Sequence, residues 1–384
     1  MPTNFIPNPS LRGSNPVDVL RLIRSENVGP VTFFHLVKFC GSVAKAIEMA
    51  PDISRRGGKN KAIRIASKAE AEREYEALTA FGAQMVMYGE ETYPRLLQVV
   101  NDAPPILTVK GHAHLWNHDK LIGIVGARNA SANGCAFARK LANDLGETKF
   151  TIVSGLARGI DAAAHRGSLA NGTVAVIGGG IDNVYPPENE MLYREIAESG
   201  AIISELPFGA KPHARSFPAR NRIIAGMSRA VVVIEASLKS GSLITAHFAG
   251  DYGRDVFAVP GSPMDPRCHG TNQLIRDGAI MLESVHDILN NISSIAALPL
   301  ADTKTSLFAE PTHQFDSSLL DEARTAITAA LSPSPTLLDD VLAASGVSPH
   351  ILMAILLELE LAGKLQRHPG AKVSLIVGEH INHG

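Results

Sequence analysis

Phe217–Ala249 reads FPARNRIIAGMSRAVVVIEASLKSGSLITAHFA, and this run decides the fold because three units follow one another in it. Pro218 has the fixed φ suited to a first helical turn, and Ile223, Ile224 and Met227 then recur at helical spacing, with Gly226 and Ser228 closing the helix. Ala230–Ile234 is apolar on both alternating faces and β-branched, the pattern of a strand covered by helices on both sides. Ser237–Ser242 is a loop of small residues at the start of another helix, where backbone N–H groups can face an anion. Arg220, Arg222, Arg229 and Lys239 supply positive charge around it.

The same strand, glycine-rich loop, helix rhythm extends outward from this run. LIGIV is followed by GARNAS and a helix near 132–145, FTIVS by GLARG and a helix near 160–169, TVAVIGG by a helix near 188–198, and AIISE by the basic helix. VFAVPGS with a short helix near 272–276 completes the set. Such alternation predicts an α/β fold, a Rossmann-like doubly wound and mostly parallel sheet, over 84–290. Ligands bind beyond the carboxyl ends of the strands in such sheets. The loops expected there are GARNAS, SGLARGID, GGGIDNVYPP, EASLKSGS and VPGSP, five loops of one Gly/Ser chemistry on one rim.

On the N-terminal side, residues 1–15 are rich in Pro, Asn and Ser and read as a flexible arm. Residues 16–83 turn helical, with breaks at Gly29-Pro30 and Gly41-Ser42 and a longer charged helix after them. The Val28-Gly29-Pro30 turn between amphipathic helices resembles a helix-hairpin-helix or sterile-alpha-motif-like module, and a plain helical packing domain suits the pattern equally. Residues 291–318 mix Ser, Thr, Pro and Ala without a period and read as a linker. Three helices and a hairpin over 319–384 resemble a winged helix. Its third helix, PHILMAILLELELAG, carries Glu358 and Glu360 and no Lys or Arg, which favours a packing or protein-contact role over reading a DNA groove.

The 384 residues suffice for several domains, and 45% hydrophobic content supports a packed core. A net charge of −2 gives no overall attraction to polyanions, yet Glu205–Arg229 holds five Lys/Arg against one acid. Cys40, Cys135 and Cys268 form no C-x-x-C pair, so neither a disulfide framework nor a zinc site is expected. With no signal-peptide pattern and no apolar run near ~20 residues, the expectation is a soluble cytoplasmic protein.

Catalytic templates do not fit. The P-loop pattern and the G-x-S-x-G elbow are absent, and the glycines do not spell G-x-G-x-x-G. Asp161 and His165, four apart, suit an acid–base or metal pair, and suit better a pair that orders its own helix and the adjacent loop. Glu235 at a strand end suits a ribose or metal contact and equally a hydrogen bond to the neighbouring loop. Anion binding without an evident nucleophile remains; no metal and no cofactor are expected. A nucleotide-binding enzyme, such as a nucleoside-phosphate hydrolase, is the alternative on the same fold, and a protein adaptor acting through the acidic C-terminal helix would leave the arginines unexplained.

SGLARGIDAAAH at 154–165, YPPEN at 185–189, FPARNRIIAGMS at 217–228, SGSLITA at 240–246 and GRDVFAVPG at 253–261 together resemble the DNA-processing protein A family, also called DprA or Smf, across about residues 85–282. The resemblance implies a non-catalytic protein that binds and protects incoming single-stranded DNA, helps load RecA recombinase in natural transformation, and forms homodimers through the Rossmann-like domain. It also implies a DNA-binding set of Arg128, the loop containing Ser154, Gly155, Arg158 and Gly159, the helix residues Arg220, Asn221 and Arg222, and Lys239, Ser240 and Gly241. Arg220 and Arg222 diverge by about 200° on a helix, so one is expected to face the ligand and the other to anchor the helix. Phe217 is the aromatic available for stacking a base, though its place before Pro218 suits a staple into the core better.

Overall fold

The computed structural model describes residues 8–59, 61–295, 317–368 and 370–376. Most of the linker expected at 291–318 and about half of the arm expected at 1–15 lie outside the described residues. The chain divides into two compact units, Met1–Arg12 with Arg73–Thr303 and Gly13–Glu72 with Lys304–Gly384.

The second unit begins with α1 (Pro16–Ile23), α2 (Pro30–Cys40) and α3 (Val43–Arg56). Local chemistry sets their ends. The Asn15 side chain accepts the Val17 N–H, Gly41 closes α2 in the left-handed region at φ 84°, and the Ser42 hydroxyl accepts from Lys45 N. The unit boundary falls within α4 (Lys68–Ala80), whose start is a reciprocal capping box: Ser67 N donates to Glu70 at 2.7 Å and Glu70 N to Ser67 Oγ at 3.2 Å.

The first unit carries β1 (Gln84–Met87), α5 (Arg95–Gln98), β2 (Ile106–Gly111), β3 (Leu121–Gly126), α6 (Ala132–Glu147), β4 (Thr151–Ser154), α7 (Ile160–Ser168), β5 (Thr173–Val176), α8 (Glu190–Ser199), β6 (Ala201–Ser204) and α9 (Ser216–Met227). It continues through β7 (Ala230–Ile234), α10 (Gly241–Asp251), β8 (Asp255–Ala258), α11 (His269–Arg276), β9 (Ile280–Met281) and α12 (Val285–Ile295). One nine-stranded sheet results, in the order β1-β2-β6-β5-β4-β3-β7-β8-β9. From β6 to β9 every pairing is parallel; β2 joins β6, and β1 joins β2, antiparallel. The doubly wound core is as expected from the rhythm, and the antiparallel edge extends it.

The chain runs from β3 outward through β4, β5 and β6, then returns to the other side of β3 as β7. That reversal makes the carboxyl ends of β3 and β7 a topological switch point, where a crevice opens because successive helices leave to opposite faces. Five consecutive residue pairs, from Ile122↔Ala230 to Gly126↔Ile234, fix the register there. A Cβ at Gly126 would overlap the carbonyl oxygen of Ile234, so only glycine permits this strand end. Apolar side chains cover both sheet faces. Ile122, Ile124, Ile152, Val232 and Ile234 pack against α6 and α12 residues including Leu141, Leu145 and Ile288. Ala175, Ile177 and Ile202 pack against Leu192, Tyr193 and Ile196 of α8.

The second unit is completed by α13 (Ser317–Ala330), β10 (Thr336–Leu337), α14 (Leu338–Ser345), α15 (Pro349–Leu361), β11 (Leu365–His368) and β12 (Lys372–Leu375), with the strands ordered β10-β12-β11. This is the expected winged helix. Pro349 sits in the first turn of α15, and Ser348 Oγ accepts from Ile351 N. Leu352, Ile355, Leu356 and Leu359 fill the module's own core with Ile327, Val341 and Val373. Leu357 and Leu361, 2% and 0% exposed, lie outside that cluster, because α15 also packs on α2 and α3. An α-helix apolar all round is a helix buried all round. Its two acids are internally paired, Glu358 with Arg324 at 2.8 Å and Glu360 with Arg367 at 3.0 Å. Among the described residues no single helix is long and apolar enough to cross a membrane.

Candidate nucleic-acid interface

The sequence-predicted site residues fall into two groups in the folded unit. Arg128, Gly155, Arg158 and Arg220 line one cavity of about 150 Å³ at the sheet's carboxyl rim, together with Gly178, Tyr185, Glu188 and Phe217. Ser154, Gly159, Asn221, Arg222, Lys239, Ser240 and Gly241 are not among its lining residues.

Arg128, in the loop after β3, is exposed, and its guanidinium stands 5.0 Å from the centre of the Phe217 ring. Arg158 is exposed and makes a loose pair with Glu188 at 3.8 Å, both side chains more than half accessible, a contact that holds neither strongly. Phe217, in the first turn of α9, is half-buried and tilted against Tyr185 with centroids 5.5 Å apart. Its ring lines the cavity and is not the core staple expected from its place before Pro218. Gly178, close to the Phe217 ring, and the Tyr185–Pro186 segment, which has a cis peptide, line the same cavity.

Arg220 and Arg222 diverge as their spacing requires, and both are buried, at 6% and 7% exposure. Arg220 projects beneath the cavity, donates through Nη1 to the Val176 carbonyl, and keeps its Nε without a hydrogen-bond partner. Burial lowers its pKa to about 10, Asp161 opposing and Arg128 assisting that shift, so it stays charged at neutral pH. Gly155 makes room for it, since a Cβ there would overlap the guanidinium. Arg222 turns the other way and pairs with Glu205 and Asp102. Burial alone would depress its pKa, but those two carboxylates more than reverse this and leave it raised.

In the Ser154–Gly159 loop, part of the implied DNA-binding set, three N–H groups are already used inside the protein. Gly155 N and Ala157 N donate to Asp161 Oδ2 at 3.1 and 3.4 Å, and Leu156 N donates to His165 Nε2 at 3.3 Å. With Nε2 accepting, the His165 proton sits on Nδ1 and is donated to Thr173 Oγ1 at 2.7 Å. Asp161 and His165 thus order the loop from α7, and the left-handed Leu156, φ 57°, is held further by Asn189 Nδ2 on its carbonyl at 2.8 Å. Ser154 is fully buried and donates to the Ile124 carbonyl. Gly159, φ +75°, is required by the closeness of the Ala127 carbonyl, which a Cβ would overlap.

At the other predicted loop, Lys239 is exposed, Ser240 Oγ accepts from Ser242 N at 3.4 Å, and Asn221 Nδ2 donates to the Gly241 carbonyl at 3.1 Å. These contacts shape the start of α10. Glu235, in the left-handed region at φ 50°, ends β7 and accepts Ser131 N at 2.8 Å and the Ser131 hydroxyl. It therefore fixes the start of α6 through the residue that caps it. Among the described residues no cluster of three or more His, Cys, Asp or Glu suits a metal ion.

Tyr185 opens the YPPEN motif, and its place in the site is not evident from the sequence. The available signal is an aromatic residue ahead of two prolines in a loop already assigned to the rim. Three guanidinium groups around two aromatic rings can clamp a phosphate and stack a base, and a cavity of about 150 Å³ is smaller than the roughly 300–1,000 Å³ typical of whole-ligand pockets.

Comparison with known proteins bears on this geometry. The family profile described as DNA recombination-mediator protein A matches residues 84–293; a DprA-like N-terminal HHH domain matches 14–77 and a DprA winged helix domain 311–371. The chain is 38% identical over 323 residues to Protein Smf of Synechocystis, covering 75% of this chain and 79% of that protein. It is 45% identical over 202 residues to DNA processing protein DprA of Streptococcus pneumoniae, covering 52% of this chain and 71% of that one. The crystal structure of the S. pneumoniae protein superposes with TM-score 0.56 at 35% identity, over 72% of this chain and 93% of that chain. A Helicobacter pylori DprA structure, described for its single-stranded DNA binding mode, gives TM-score 0.51 at 28% identity over 56% of this chain and 96% of that chain.

Proposed function

The chain belongs to the DNA recombination-mediator protein A family, and from that membership we propose that it binds single-stranded DNA at the rim cavity and acts by holding the strand, not by turning it over. The observation that carries the reading is the convergence of Arg128, Arg158 and Arg220 with the rings of Phe217 and Tyr185 around one small space. A base stacked on Phe217 with its phosphate among the guanidiniums uses both features at once, and stacking tolerates any base. Arg220 lines that cavity as a charged side chain whose Nε has no hydrogen-bond partner, which leaves its polar groups incompletely satisfied within the protein.

In this reading Arg128, Arg158 and Arg220 touch the ligand, and Gly155 keeps the floor open. Ser154, Gly159 and Asn221 shape the loops, Arg222 anchors α9, and Lys239, Ser240 and Gly241 lie outside the cavity, where Lys239 meets a longer strand. The family's mediator role supports a further assignment: the bound strand is protected during uptake in natural transformation and passed to RecA recombinase, by a homodimer joined through the Rossmann-like unit.

Fluorescence anisotropy with labelled oligo-dT and a duplex of equal length, titrated at several salt concentrations, tests the reading. Preference for the single strand, with a log–log salt slope of about −0.7 per neutralised phosphate, is expected. Equal affinity for the duplex, or no binding at low salt, overturns it. Release of base or phosphate from a mononucleotide would move the chain to the nucleotide-hydrolase reading instead.

A further inference from the structure

Residues 55–64 read RRGGKNKAIR, five cations and no acid, at the carboxyl end of α3 and outside the rim cavity. Three of the five are engaged: Arg55 with Asp52 at 3.1 Å, Lys59 with Glu26 at 2.6 Å and Arg64 with Glu70 at 3.0 Å. Arg56 and Lys61 are exposed and make no ion pair among the described residues. A third unengaged cation arrives from the far end of the chain. Lys364, just beyond α15, places its ammonium in the space that a side chain on Gly58 would fill.

Docking of the two modules brings it there. A Cβ on Gly57 would overlap the Glu358 carbonyl, so α3 and α15 touch backbone to backbone at this point. Asn27 Nδ2 donates to the Leu361 carbonyl at 3.0 Å, and Arg367 Nη2 meets His35 Nδ1 at 3.3 Å. Leu357 and Leu361 bury the second apolar face of α15. Glu358 and Glu360 are neutralised by Arg324 and Arg367, so the acids of α15 do not cancel the exposed cations.

We infer that Arg56, Lys61 and Lys364 form a second polyanion-contacting surface, assembled jointly by the N-terminal helical module and the winged-helix module, that holds the phosphate backbone of nucleic acid without reading its sequence. Exposed cations on flexible stems suit the evenly spaced charges of a backbone better than one enclosed phosphate. The helix that a winged helix would insert in a groove is spent on packing here, which leaves charge contact as the way this unit meets DNA. The inference does not depend on what the rim cavity binds.

The test uses the full chain, wild type and the triple variant Arg56→Gln, Lys61→Gln, Lys364→Gln, with a long oligo-dT, a duplex of equal length and a short oligo-dT that only fills the rim cavity. The triple variant is expected to flatten the salt slope by about 2 on the long oligo-dT and by nearly 3 on the duplex, at roughly 0.7 and 0.9 for each phosphate no longer neutralised, and to bind the short oligomer as wild type does. Arg128→Ala should weaken the short oligomer, so failure of the rim reading and failure of this one are separately visible. An unchanged slope on both long probes overturns the inference. So does loss of binding to phosphatidylglycerol vesicles with DNA binding intact, which would make the patch a membrane contact. Joint assembly is checked by Gly57→Leu, which forces α15 from α3: Lys364→Gln should then add nothing further. An undiminished Lys364 effect in that background rejects the joint surface. If Gly57→Leu does not fold, Asn27→Ala provides the same cycle with a milder displacement.

Discussion

The Arg128 guanidinium and the Phe217 ring face one another at 5.0 Å although they come from a loop after the central strand and from the helix before its neighbour. A cation over one face of a ring is attracted by its quadrupole, and the pair presents positive charge and a stacking surface within one base's reach. Phe217→Ala is expected to weaken oligo-dT binding by about 1–3 kcal/mol, roughly 5- to 150-fold in Kd. Phe217→Tyr should keep most of the affinity. Anisotropy titration checks both, and an Ala variant binding like wild type would remove the ring from the site.

Gly155→Ala should act on binding more than on folding. The added methyl group meets the Arg220 guanidinium, the movable end of a side chain, and not a fixed backbone atom. The guanidinium it displaces is held by the Val176 carbonyl and lines the cavity. Expected are a Kd raised about tenfold or more, consistent with loss of a charge-assisted hydrogen bond from this guanidinium to a bound phosphate, roughly 1.5–3 kcal/mol, and a far-UV spectrum like that of wild type.

Arg222→Met should show the opposite pattern. Its guanidinium is buried against Glu205 and Asp102, and removing one partner of such a group strands the remaining carboxylates. A loss of about 3–5 kcal/mol in urea unfolding is expected, while the salt slope on oligo-dT, measured where the variant is folded, stays as in wild type. A slope reduced by one phosphate contact would place Arg222 on the ligand.

Acid should loosen both units through buried imidazoles. His165 has its pKa pushed down to about 3 by burial, with Arg220 and Arg166 adding to the effect. His35 in the other unit is likewise near 3, by burial and then Arg367 and Lys38. Each folded unit keeps its histidine neutral while the unfolded chain takes a proton below about 6.5. Stability is therefore fully present above pH 6.5 and falls as pH drops toward 3, by up to about 1.4 kcal/mol per pH unit for each group. Asp161 works the other way from 3.8 upward, because burial raises its pKa despite Arg220 and two backbone amides, so the slope is read just below pH 6.5. Urea midpoints against pH check this, and His165→Gln should flatten the first unit's dependence.

The alternation of apolar strand and glycine loop is legible in the sequence to within a residue or two: the β-branched run Ala230–Ile234 is β7. Strand order is not, because pairing of β7 beside β3 and the antiparallel addition of β1 and β2 depend on contacts far apart in sequence. The site is legible as a set of cations and loops and less so as geometry. A sequence does not announce that Arg220 and Arg222 are buried, since the carbonyl and carboxylates that make burial tolerable lie 17 to 120 residues away. Nor does a glycine-rich loop disclose that its amides are already taken; that depends on Asp161 and His165 turning back onto it.

The second unit joins Gly13–Glu72 to Lys304–Gly384, and this has a temporal consequence during synthesis. Helices α1 to α3 leave the ribosome long before α15, which buries Leu357 and Leu361 and packs on α2 and α3, exists. At about 5–20 residues per second, the wait is on the order of 15–60 s. Through that interval the nascent N-terminal helices lack their partner, whereas the Rossmann-like unit has its last strand, β9, as soon as Met281 is made, well before α15. Vectorial synthesis therefore completes the Rossmann-like unit before the unit that joins the N-terminal helices to the winged helix.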